Sequence, residues 1–165
     1  MHAITHHSIS VATNEAVRLW AFASTEYPKQ HEPLITALVI SVLETCSTFA
    51  LNCRRSMEVL DPSVKFPLDN PRWQWQPATA ESRINDLFEA THRIIHARRL
   101  LIGMEPLPKH LSVVQGESVF IPYVQAETDR KQLAFIDPFA MAHAYLFGAL
   151  PALLAKLGTT AAHVV

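Results

Sequence analysis

Five polar residues, Asn85, Glu89, His92, His96 and Arg99, follow one another at steps of 4, 3, 4 and 3. On an α-helix such steps draw one continuous stripe. Two imidazoles at i, i+4 can share one metal ion, and a carboxylate one turn earlier can complete a three-ligand set for a divalent metal such as zinc. The same Glu89, His92 and His96 could do acid–base work, since a carboxylate beside an imidazole raises its pKa toward neutral pH. Arg99 would then offset negative charge on a substrate. The plainer reading is a solvated helix face whose Glu–His pairs contribute roughly a few tenths of a kcal/mol.

A second group is Arg72-Trp73-Gln74-Trp75-Gln76, in a stretch rich in proline. In an extended chain Trp73 and Trp75 project to the same side, with Arg72 beside them. Such rings can stack on a planar ligand or a base, or can pin the loop onto the rest of the protein. Arg72, Trp73, Trp75 and Arg99 are therefore the candidate ligand-binding residues.

Spacing alone leads to no family. Glu89-x-x-His92 resembles the pair used by ferritin-like di-iron bundles, which need a second such pair that this chain lacks. His92-x-x-x-His96 is similar in spacing to the paired histidines of DinB-like metal-binding bundles, which add a third histidine elsewhere. RNA-cleaving HEPN-type bundles carry an Arg followed by a His on one helix, and neither Arg83/His92 nor Arg93/His96 has their spacing.

Other chemistry-bearing residues are isolated. His143 lies in an apolar segment, where a hydrogen-bonded core or interface role is expected. Glu44 sits among Ser41, Thr45 and Thr48, which fits a solvated stripe or a polar channel between helices. Cys46 and Cys53, seven residues apart on a helix, would be about 10.5 Å apart, beyond the roughly 7 Å a disulfide spans. Their apolar surroundings argue against a nucleophilic thiol. The four glycines do not cluster into a phosphate loop, and there is no Cys-x-x-Cys, His-Glu-x-x-His or Gly-x-Ser-x-Gly.

The elements that would position these residues are read from periodicity. Helices are expected over Ser10–Glu26, Pro33–Leu60, Ala80–Ile102 and Pro138–Leu157. Thr79 would cap the third and Gly103 would close it. Its inward stripe reads Ile84, Leu87, Phe88, Thr91, Ile94, Ile95, Leu101 and Ile102, so the two histidines point outward. Residues 61–79 read as a loop with four prolines. Short strands are expected at Leu111–Val114, Val119–Gln125 and Gln132–Ile136, forming a small β insertion over 111–136. Pro122 leaves the middle strand one unpaired edge, and Gly158 stops the last helix. The expectation is a mainly α single domain over 1–165, a four-helix bundle with a small β-hairpin insertion before the last helix.

The chain has 165 residues, 49% hydrophobic and 18% charged, with a net charge of −1. That excludes a disordered or collagen-like chain and disfavours duplex DNA as a partner. No secretory signal is readable at the start, and with two reduced cysteines this points to the cytoplasm. The 18 uncharged residues of Pro138–Ala155 reach spanning length, but His143, Pro151 and the alanines favour a core helix, so no membrane partner is expected. The apolar surface of the second and fourth helices exceeds what four helices conceal. The leading expectation is a helical interaction or regulatory module acting as a homodimer. The alternative is a metal-assisted or acid–base hydrolase using Glu89, His92 and His96, with RNA, a nucleotide or another small molecule as substrate.

Overall fold

The computed structural model describes residues 2–75 and 82–158. Thr79, expected to cap a helix, lies outside them. Chain order is α1 (His2–Ala23), β1 (Tyr27–Pro28), α2 (Glu32–Met57), α3 (Leu87–Ile95), β2 (Arg99–Pro106), β3 (Ser118–Glu127) and β4 (Ala134–Ile136). It ends in α4 (Pro138–Ala144), a π-helical turn (Tyr145–Ala149) and α5 (Leu150–Lys156), which follow without a gap. Helices pack on a four-stranded antiparallel sheet. The expected four-helix bundle with a small hairpin is therefore corrected to an α+β fold.

The correction arises mainly in one segment. The helix expected over 80–102 shrinks to Leu87–Ile95, and Arg99–Pro106 becomes a full strand. Leu100, Leu101 and Ile102 continue the helical spacing, yet three consecutive aliphatic residues suit a strand equally well. Long-range pairing decides. The Arg98 N–H donates to the Glu127 carbonyl at 2.8 Å, its guanidinium bonds the Glu127 carboxylate at 2.9 Å, and β2 then pairs antiparallel with β3 from Arg99↔Glu127 onward. Gly103 closes no helix. A Cβ on it would meet the Tyr123 ring at 2.0 Å, so the glycine lets the ring lie across the strand. The true start of α3 is Asp86, whose carboxylate accepts from the Glu89 N–H at 3.2 Å.

β3 is the central strand. β2 runs along one edge, and β1 and β4 pair at Ser118–Val119 and Val124–Ala126. Pro122 falls where the β2–β3 register shifts between Gly103 and Glu105, and between the segments that pair with β1 and β4. A residue with no N–H is tolerated at such a break. Leu111–Val114 is not a strand, since Lys109–Leu111 form a 3-10 turn. Beyond it, the Glu26 carboxylate accepts from the N–H groups of Val113 and Val114 and from the hydroxyls of Ser112 and Ser118. That clamp fastens the end of the first helical hairpin to the start of β3.

The core lies between α1, α2, α4 and the sheet, around Leu19, Val42, Phe49, Val124, Met141 and Tyr145. Tyr145 meets Phe49 edge-on at 5.5 Å between centroids. Cys46 and Cys53 are fully buried free thiols, and burial pushes Cys46 up to about 12. α2 is different: only 33% of its most apolar window is buried. Both it and Pro138–Lys156 are long and apolar enough to cross a membrane by length and composition.

Candidate functional site

α3 is amphipathic because Leu87, Ala90, Thr91 and Ile94 turn into the core. That orientation sends Glu89, His92 and His96 to the other side. The two imidazoles lie 4.5 Å apart, centroid to centroid, and tilted by 53°. They line an open cleft of about 450 Å³ whose other wall is the β3–β4 turn, with Thr128, Asp129, Arg130 and Lys131. Neither imidazole takes part in a hydrogen bond among the described residues.

Glu89 points elsewhere. Its carboxylate accepts from Arg93 Nε at 2.7 Å and from Lys131 Nζ at 2.9 Å. Burial raises its pKa, but the two hydrogen bonds outweigh that and hold the carboxyl below its ordinary value. Arg93 also donates to the Gln132 carbonyl at 3.1 Å, so α3 is stitched to the turn that faces it. For zinc, two of the three expected ligands stand together and the third is engaged by cations. Among the described residues no three His, Cys, Asp or Glu side chains converge as a metal site requires.

His92 is held below the usual imidazole value. Burial is the main cause, joined by His96, Lys131 on the turn and Arg54 on α2, with Glu89 opposing. Arg54 was not legible as a neighbour of this region. It stacks over the Phe88 ring at 3.4 Å, and its Nη1 is buried with no hydrogen-bond partner. Nor was the turn, whose residues follow α3 by more than thirty positions and contact it only through folding.

The remaining candidates are placed away from this cleft. Arg99 opens β2 opposite Glu127, and Asn85 precedes α3, its carbonyl accepting from the Leu68 N–H at 2.9 Å. The two tryptophans are occupied. Trp73 packs on Phe120 at 4.6 Å and donates to the Ala23 carbonyl, with Arg72 over its ring at 5.5 Å. Trp75 is buried against Tyr123 at 4.9 Å and donates to the Asp137 carboxylate at 3.0 Å. Both indoles thus hold the proline-rich segment against the sheet. His143 lies between Trp20 and Phe147, with centroids at 6.1 and 4.7 Å. Glu44 lines a polar groove of about 360 Å³ between α1 and α2, with Glu15, Arg18, Ser41, Thr45 and Thr48.

No protein-family model, curated protein or solved structure matches this chain.

Proposed function

We propose that the protein is an association module that pairs with a second copy of itself through the outer face of α2. The observation that carries this is the apolar surface left uncovered there. Ile40 is 53% exposed and Leu51 40% exposed, on a helix whose opposite side is fully committed to the core. With Ala37, the half-buried Leu43 and Ser47 they form one stripe down a helix about 39 Å long. The stripe from Ala37 to Leu51 covers about 21 Å of that helix, with Ser47 as its one polar member, and a largely apolar strip of this kind marks an interaction surface.

Charge supports a second copy as the occupant. Glu44 and Arg55 are exposed, make no ion pair among the described residues, and flank the stripe on the same side, three turns apart. A second α2 laid antiparallel about a two-fold axis would set each Glu44 against the other copy's Arg55. A bilayer suits this face less well. Glu44 stands at the midpoint of the helix, where spanning would cost about 2.5–3.5 kcal/mol for a carboxylate at the membrane centre. Light scattering at tens of micromolar tests the proposal. The expected mass is twice 18.5 kDa, and a monomer, or recovery only with detergent, overturns it.

A second reading, an acid–base hydrolase at His92 and His96, is favoured by one observation: the imidazole pair lines an open cleft with no hydrogen-bond partner among the described residues. On this reading His92, largely neutral near pH 7, is the base and Glu89 a positioning residue for Lys131. Any hydrolytic turnover should then vanish in His92→Ala and His96→Ala, and unchanged turnover ends it.

A further inference from the structure

We infer that the cleft between α3 and the β3–β4 turn binds a phosphate group, free or as a monoester, through His92, His96 and Arg130. This deepens the hydrolase reading by naming the ligand class, and it concerns binding, so it stands whether or not turnover follows.

The cleft's charges sort into those already satisfied and those left over. Glu89 is taken by Arg93 and Lys131, and Asp129 is paired with Arg98 at 3.4 Å. Arg130, exposed on the turn, makes no ion pair among the described residues. Two imidazoles without hydrogen-bond partners among the described residues stand on the opposite wall. A divalent cation entering here would meet two ring nitrogens and, among the described residues, no third ligand converging on them, since Asp129 is turned to Arg98. It would stand beside Arg93, Arg130 and Lys131. Like charges at such range repel. A phosphate dianion meets the reverse: N–H donors on both walls and an unpaired guanidinium able to grip two oxygens. About 450 Å³ lies within the range of small-ligand sites, so a phosphate would leave room for an organic substituent.

The groups facing His92 give the inference a signature. His96 and Glu89 on its own helix, Lys131 on the turn and Arg54 on α2 surround it, and all but Glu89 disfavour its charged form. A bound dianion reverses that balance and favours the charged form of His92, so its ring resonances report binding directly.

The test is an NMR titration of the histidine ring resonances in the intact chain, with inorganic phosphate, with a nucleoside 5′-monophosphate and with zinc chloride alone. Saturable shifts of His92 and His96 are expected with phosphate, weakened about tenfold by Arg130→Glu. Arg130 is exposed, so this variant keeps the fold, and the remaining ring resonances report that directly. Equal affinity for the two phosphate ligands identifies phosphate itself; a tenfold preference for the nucleotide identifies an organic monoester. Absence of saturable shifts with either, saturation by zinc alone, or an affinity indifferent to Arg130→Glu overturns the inference. Binding without turnover supports it while ending the hydrolase reading.

Discussion

The segments around Trp73–Trp75 and Glu89–His96 carry the same kind of promise in sequence, aromatic or imidazole rings beside arginine, and meet opposite fates. Trp75 has both its ring face and its N–H satisfied internally, by Tyr123 and by Asp137. His92 and His96 stand side by side at an open cleft, with no hydrogen-bond partner among the described residues. The difference lies in what a side chain has left after folding. An indole that donates to a buried carboxylate is holding the structure together, whereas an imidazole with no hydrogen-bond partner at the edge of a cleft remains free to bind.

Removing rings from each region should therefore give unequal results. Trp75→Ala deletes a buried ring and leaves the Asp137 carboxylate without that donor, so about 3–5 kcal/mol of stability should be lost in urea unfolding. Trp75→Phe keeps the ring and should cost less. His96→Ala, at an exposed ring, should stay within about 0.5 kcal/mol of the parent, and His92→Ala, at a half-buried ring without a hydrogen-bond partner among the described residues, within about 1 kcal/mol. A large loss from the histidine variants would erase the contrast.

Two carboxylates sharpen it through pH. Glu26 is held below its ordinary value, first by the Ser112 hydroxyl and then by its other donors, which together outweigh desolvation. Its folded pKa lies below the unfolded one, so its contribution is present above the unfolded pKa of about 4.5 and lost as pH falls through the folded value. Asp137 is raised, chiefly by burial, with the donated Ala140 and Trp75 N–H groups offsetting only part. Its effect has the opposite sign: stability from this group is greatest below the unfolded pKa of 3.8 and declines as pH rises through the folded value. Glu26→Gln should flatten the loss of stability on acidification, and Asp137→Asn should steepen it. Thermal unfolding between pH 3 and pH 7 distinguishes the two, and identical slopes would contradict both assignments.

The outward histidine stripe was legible because it depends only on local periodicity, and Leu87, Thr91 and Ile94 do turn inward as the spacing requires. The length of that helix was not. Leu100–Ile102 satisfies helical and strand spacing alike, and antiparallel pairing with β3, from Arg99↔Glu127 onward, settles the choice. Asp86, three residues before Glu89, caps α3 well inside the span that the apolar periodicity assigns to the helix. The second wall of the cleft was beyond local reading, because Thr128–Lys131 meet α3 only once β3 has crossed the sheet. Likewise the long apolar α2 announced excess hydrophobic surface, while which side stays bare depends on how α1 and α3 cover it.

That bare side is where the account is most exposed to test. Sedimentation equilibrium on the parent chain and on Ile40→Glu, at the same concentration and with circular dichroism as a check on folding, measures it directly. The account predicts a dimer for the parent and a folded monomer for the variant. A parent that sediments as a monomer, or an Ile40→Glu variant that remains dimeric, would contradict it.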